Sequence, residues 1–235
     1  MKKAYLYFLG LVFFCIWGLD LQGQTISKYG LEVIDNPKIY HNMVKQNPAY
    51  KLVSLKYIEG LFFDIRYATT NNFTNEIIYE SPDAFARLQV ARALERANKK
   101  LNERGLAIKV YDAYRPYSAT VKFYELYKDT NYVASPYTGS RHNRGCAVDI
   151  TLVDAETGEE LPMPTPYDDF SEKAHPTFDD LPEGIKNNRT LLIKTMEEFG
   201  FSVYPTEWWH FDYIGWKDFP IMDLSFEALK NKYDH

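Results

Sequence analysis

Residues 140–153 read Ser-Arg-His-Asn-Arg-Gly-Cys-Ala-Val-Asp-Ile-Thr-Leu-Val, a polar turn running into an apolar stretch. Cys146 to Val153 is dominated by small and β-branched side chains, the composition of a strand covered on both faces, and is read as the central strand of a sheet. Gly145, just before it, lets the backbone turn tightly. A loop histidine, His142, and a strand aspartate, Asp149, can therefore converge. Working outward, Leu106, Ile108 and Val110 alternate as a second strand leading into Asp112-Ala113-Tyr114-Arg115-Pro116. Leu61, Phe63, Ile65 and Tyr67 alternate with Phe62, Asp64 and Arg66 as a third, closed by a turn at Asn71-Asn72. Strand patterns recur at 201–204 and from Trp208 to Tyr213.

Three helices are predicted between these strands. Ser81-Pro82-Asp83 offers an N-cap, a first-turn proline and an early carboxylate, followed by Ala84, Leu88, Ala91, Leu94 and Leu101 at helical spacing and Gly105 past the end. A second helix covers Ser118 to Lys128, and a third Ile185 to Phe199 with Gly200 beyond its C-cap. From Asp154 to Glu183 periodicity is lost, and prolines stand at 162, 164, 166, 176 and 182. A loop of this length inside a compact domain is functional or disordered. Tyr167, Phe170, His175 and Phe178 within it point to a packed loop. No repeat or low-complexity tract is present, so the expected architecture is one α+β domain with a central, mainly antiparallel sheet flanked by helices.

The ends set its limits. Lys2 and Lys3 precede an apolar run from Ala4 to Leu19, after which Asp20, Gln22 and Gln24 turn the chain polar, the pattern of a secretory signal over residues 1–24. The run falls short of the roughly 20 residues that span a bilayer, so an uncleaved anchor is the lesser reading. Residues 25–50, with turn pairs Asn36-Pro37 and Asn47-Pro48, are read as a loosely ordered arm, and 51–235 as the domain. Of the two cysteines Cys15 lies in the leader, which leaves Cys146 alone and the exported protein without an internal disulfide. The 235 residues are 46% hydrophobic and 25% charged, excluding extended disorder. The net charge of −5, without any Lys/Arg run, excludes a nucleic-acid partner.

The chemistry-bearing residues are His142, Asp149 and the Glu207-Trp208-Trp209-His210 stretch. A catalytic zinc site takes three protein ligands and keeps an open position, and His142, Asp149 and His210 could supply them. Two neutral imidazoles and one carboxylate leave a net positive charge to activate water. Glu207 stands three residues before His210, so a regular strand would turn the two to opposite faces; a turn or bulge at Trp208 is needed to bring both into one pocket. On spacing alone other readings stand beside this one. Each histidine could be a hydrogen-bonded core residue, the tryptophans plain core, and Arg115 the ion-pair partner of Asp112. His41, His175 and His235 read as ordinary surface or loop residues.

The order S-x-H-x-x-G-x-A-x-D followed by E-W-W-H resembles the D-alanyl-D-alanine dipeptidases of the VanX type, zinc enzymes that share a fold with D-Ala-D-Ala carboxypeptidases and the Hedgehog signalling domain. Asp64-Ile65-Arg66-Tyr67-Ala68-Thr69 with Asn72-Phe73, the Asp112 to Pro116 segment, and Leu161-Pro162-Met163 leading to Asp168 extend the likeness over about residues 52 to 215. The resemblance implies one zinc ion held by His142, Asp149 and His210, with Glu207 as the general base. It also implies Arg115 at the carbonyl oxygen, Asp168 and Tyr67 on the substrate ammonium, and Ser140 at its C-terminal end. The expected substrate is a small D,D-dipeptide from peptidoglycan, with no stable membrane association once the leader is cut. A D,D-carboxypeptidase or peptidoglycan endopeptidase, and a non-catalytic wall-binding module, are the alternatives. Two residues depart from the pattern: Cys146 between two ligands, read as neutral filling, and Arg141, an added cation at the mouth. The leader implies turnover outside the inner membrane, in the periplasm.

Overall fold

The computed structural model describes residues 24–130 and 132–230, and residues 1–23 of the expected leader lie outside the described residues. In chain order the elements are β1 (Thr25–Ile26), β2 (Glu32–Val33), α1 (Pro37–Gln46), β3 (Leu52–Ser54), β4 (Phe62–Phe63), β5 (Phe85–Arg87) and α2 (Leu88–Asn102). There follow β6 (Leu106–Asp112), α3 (Tyr117–Leu126), β7 (Ala147–Asp154), α4 (Glu183–Glu198), β8 (Phe201–Tyr204), β9 (Glu207–Tyr213) and α5 (Phe226–Lys230). The main sheet has the order β4-β6-β7-β9-β8, so the apolar stretch after Gly145 is its central strand. Only the β4–β6 pairing is parallel; the other three are antiparallel. Val148, Ile150 and Leu152 of β7 are wholly buried, as are Ile108, Val110 and Phe211 on the strands beside it. Helix α2 packs on β6 and α4 on β8. The α+β architecture is the expected one.

Three local expectations are corrected. Helix α2 begins at Leu88 rather than after Ser81, because residues 85–87 pair with β3 instead of coiling. The anticipated cap is spent elsewhere: Ser81 Oγ donates to Asp83, whose carboxylate also accepts Lys56 Nζ at 2.9 Å and Lys230 Nζ at 2.7 Å. The strand expected over 61–67 shrinks to Phe62–Phe63, since the register with β6 ends there, with the Asp64 N–H bonded to the Val110 carbonyl at 2.9 Å, and Arg66–Ala68 closes as a 3₁₀ turn. Residues 25–50 are not loosely ordered. Asn36 caps α1 by accepting from the Lys38 N–H with Pro37 in the first turn, and Asn47 caps the 3₁₀ turn at Pro48–Tyr50 in the same way. Both turn pairs are helix starts. The long loop after β7 is packed, with Tyr167 and Ala174 buried and Thr165 Oγ1 accepting from Trp208 Nε1 at 3.0 Å. No helix among the described residues is long and apolar enough to cross a membrane.

Candidate active site

Strand register builds the floor of the site. On the β7–β9 side Asp149 stands opposite His210, and on the β6–β7 side it stands opposite Asp112. The second pairing exists because one extra residue, Tyr111, is accommodated on β6 between the Val110–Ile150 and Asp112–Asp149 pairs. That bulge re-aims the strand end. Directly opposed residues share a face, so Asp112, Asp149 and His210 form a row across three strands.

His142 joins the row from a 3₁₀ turn, His142–Arg144, ended by Gly145 at φ +68° with its N–H bonded to the His142 carbonyl at 2.9 Å. The positive φ favours glycine, and a Cβ there would lie 2.4 Å from Leu52 Cδ2, so any other residue must also push the leucine tip aside. His142 Nε2 comes to 3.3 Å from Asp149 Oδ1, His210 Nδ1 to 3.1 Å from the same oxygen, and the two nitrogens to 3.2 Å from each other.

Proton counting shows what this cluster suits. His142 Nδ1 faces the Ala113 carbonyl at 2.6 Å, and a carbonyl only accepts, so this nitrogen donates. His210 Nε2 donates to Asp212 Oδ1 at 2.9 Å. In the neutral rings the facing nitrogens then carry lone pairs. Asp149 Oδ1, between them, is buried without a hydrogen-bond partner. Three donor atoms this close repel one another unless a proton on His210 or a metal cation sits among them, and imidazoles oriented by a carbonyl and a carboxylate are a usual arrangement at zinc. The residues present fit a metal ion. Burial lowers the pKa of His210, but the Asp149 and Asp212 carboxylates outweigh it and raise the pKa well above the ordinary value. A divalent cation would feel the same negative field.

The expected bulge in β9 is present. Val203 pairs with Phe211 but the next residue, Tyr204, pairs with Glu207, so 208–210 loop out of register. Glu207 Oε2 thereby lies 3.5 Å from His210 Nδ1. Its pKa is raised by burial and by Asp149, with His210 opposing. Trp208 and Trp209 are both buried, and Trp209 also lines the cleft beside Tyr167.

Arg115 is paired with Asp112, donating from Nε at 3.0 Å and Nη2 at 2.7 Å to one oxygen. The other oxygen of Asp112 takes Tyr79 Oη at 2.8 Å. The guanidinium lies 5.2 Å from the Tyr67 ring centroid and 4.9 Å from that of Phe123. Burial works against its charge, yet Asp112 and neighbouring groups raise its pKa well above the ordinary value. It is a fixed, permanent cation. Asp168 holds a left-handed backbone at φ +62°, accepts from Tyr67 Oη at 3.1 Å through Oδ1, and keeps Oδ2 buried without a partner. Burial, with Asp149 adding to it, pushes its pKa up to about 8. Ser140 Oγ accepts from the His142 N–H at 3.2 Å. All eight expected site residues line one cleft.

Sequence reasoning missed Tyr167, whose hydroxyl donates to Asp149 Oδ2 at 2.8 Å and lies 3.2 Å from Tyr67 Oη. Nothing in an aperiodic proline-rich segment marks it. Asp212 was missed too, although its place two residues after His210 on a strand is a usable signal. Cys146 is buried, its thiol pushed up to about 12 by burial against the pull of Arg87 and Arg144. It takes no part in the His142, Asp149, His210 cluster and fills space.

The peptidase M15 family described as D-ala-D-ala dipeptidase matches residues 49–227. The chain belongs to this family. A D-alanyl-D-alanine dipeptidase of Escherichia coli (strain K12) is 32% identical over 180 residues, covering 76% of this chain and 93% of that one. One from Enterococcus faecalis (strain ATCC 700802 / V583) is 31% identical over 189 residues, covering 72% and 92%. Among solved structures, the LdcB LD-carboxypeptidase has a TM-score of 0.42 and 20% identity over 85% of this chain and 88% of that chain. As a member of the M15 family the chain is a peptidase, and its activity is related to peptidoglycan.

Proposed function

We propose that this M15 peptidase hydrolyses a free D,D-dipeptide of the D-Ala-D-Ala type, with one zinc ion held by His142, Asp149 and His210. The observation that carries the reading is the cleft's pair of unmet demands: an orphaned Asp149 oxygen between two imidazole lone pairs, and a buried Asp168 oxygen without a donor. The first fits a metal, the second an ammonium. Zinc, when bound, supplies Lewis-acid activation of water and of the scissile carbonyl.

The remaining steps belong to the chain's own side chains. Glu207 takes the proton of the water whose oxygen bonds to the carbonyl carbon, and delivers it to the amine nitrogen as the C–N bond breaks. Arg115, locked by Asp112, faces the negative charge growing on the carbonyl oxygen, and a permanently charged donor needs no proton management there. Asp168 and Tyr67 receive the substrate ammonium, and Ser140 lies toward the C-terminal end. Reading the ammonium makes a dipeptidase rather than a carboxypeptidase, because a blocked acidic stem would be repelled by Asp168. The signal-like leader supports a role for this activity outside the inner membrane, in turnover of peptidoglycan-derived dipeptides.

The test is metal analysis of purified protein together with kinetics on D-Ala-D-Ala and a stem pentapeptide. We expect one zinc per chain, hydrolysis of the dipeptide far in excess of release from the pentapeptide, and a loss of about 10²–10⁴ in kcat for Glu207→Ala. Absence of zinc, full activity in Glu207→Ala, or equal rates on both substrates overturns the reading.

A further inference from the structure

Arg141 is a cleft residue with no task in the chemistry above. Its guanidinium lies over two rings, 5.6 Å from the Tyr204 centroid and 4.9 Å from that of Trp216. Cation–π contact of this kind holds the guanidinium without using up its N–H donors. The ion pair it makes runs through Nε, 3.5 Å from Asp212 Oδ2, and Nε is buried with no hydrogen-bond partner. Asp212 is itself bonded to His210. The other arginine of the cleft, Arg115, is committed to Asp112.

A free dipeptide is a zwitterion, so a site that reads both of its ends needs one anion and one cation. Asp168, whose pKa of about 8 keeps it protonated in the free protein, supplies the anion once the substrate ammonium meets it and favours its charged form. Among the described lining residues Arg141 is the cation not bound to a carboxylate by hydrogen bonds, and it directly follows Ser140. Ser140 Oγ accepts from the His142 N–H and keeps its own proton to donate. We propose that Arg141 is a specificity-determining residue that binds the free terminal carboxylate of the substrate, with the Ser140 hydroxyl beside it. This inference rests on the dipeptidase reading and deepens it: the chain selects against substrates whose C-terminus is amidated or extended.

The experiment titrates D-Ala-D-Ala and its C-terminal amide, by calorimetry, into zinc-loaded Glu207→Ala protein carrying Arg141, Arg141→Gln or Arg141→Lys. With Arg141 in place the free acid should bind at least ~10-fold more tightly than the amide. Arg141→Gln should weaken the acid by that factor and leave the amide unchanged, erasing the preference; Arg141→Lys should keep part of it. The proposal is overturned if the acid is not preferred with Arg141 present, if the preference survives in Arg141→Gln, or if both ligands weaken alike, which marks a merely structural arginine. Wild-type protein that fails to hydrolyse D-Ala-D-Ala but keeps an Arg141-dependent acid preference refutes the dipeptidase reading alone. Hydrolysis with an Arg141-independent preference refutes the carboxylate clamp alone, and binding of neither ligand overturns both.

Discussion

Asp168 carries a buried carboxylate with one oxygen bonded to Tyr67 and the other to nothing, and such a group costs stability until a cation meets it. Its pKa of about 8 in the fold lies well above the roughly 3.9 of an unfolded aspartate. Between these values the folded chain binds the extra proton, so this residue's contribution to stability falls as pH rises from about 4 to 8. In chelator-treated protein, Asp168→Asn should therefore be more stable than wild type at pH 8, by on the order of 5 kcal/mol, and equal to it near pH 3. Urea unfolding across that range checks the sign; a less stable Asn variant at pH 8 refutes it. The same substitution should raise KM for the dipeptide about 10-fold or more, a trade of stability for recognition. Tyr167 is a second residue-scale case. Tyr167→Phe keeps the ring beside Tyr111 and Trp209 but strips the donor from Asp149 Oδ2. Loss of such an outer partner should lower zinc affinity about 10-fold in chelator competition, and an unchanged affinity would show that Asp149 is oriented without it.

The elements that carry the site were legible to different degrees. β7, α3, α4, β8 and β9 could be read because their apolar spacing and caps agree with their tertiary roles. The start of α2 could not: a serine–proline–aspartate cap signal was present, yet pairing of Phe85–Arg87 with β3 and the ion pairs of Asp83 took those residues for other work. Tertiary pairing overrode a local propensity. The bulge at Tyr111 was equally hidden, since a register slip belongs to two strands at once, whereas the irregularity at Trp208 could be inferred from the spacing of Glu207 and His210. The turn at Gly145 was read from the glycine itself and gives the sharpest test at this scale. Gly145→Ala places a side chain at φ +68° and a Cβ 2.4 Å from Leu52 Cδ2. Strain and overpacking together should cost about 2–4 kcal/mol and displace His142, lowering zinc affinity in parallel. Urea midpoint and metal affinity should fall together; a loss confined to stability would mean that the histidine is held by Ala113 and Asp149 rather than by its turn.

At the scale of the whole molecule, the N-terminal segment and the C-terminal end close on each other across the domain. Ile34 is wholly buried and bridges Met222, and Tyr40 Oη accepts from the Leu52 N–H at 2.6 Å. Tyr40→Phe should cost about 1–2 kcal/mol in urea unfolding, because it leaves a buried N–H without an acceptor; no change would show that this hydrogen bond does not contribute and that the segment is held by its buried apolar side chains alone. Asp83 ties the opposite side, taking Lys56 from the turn after β3 and Lys230 from α5. Burial alone would raise its pKa, but Lys230, the Ser81 hydroxyl and Lys56 bring it down to about 2. A depressed carboxylate contributes its stability above the unfolded pKa of roughly 3.9 and loses it as pH falls toward 2. Both lysines are nearly half exposed, so solvent screening limits the contribution to on the order of 1 kcal/mol. Asp83→Asn should remove that amount at pH 7 and flatten the wild-type decline between pH 4 and 2. Raising the salt concentration should shrink the difference, since the ion pairs that create it face water. A difference that persists unchanged at pH 2 would assign the residue's role to the Ser81 hydrogen bond instead of to charge.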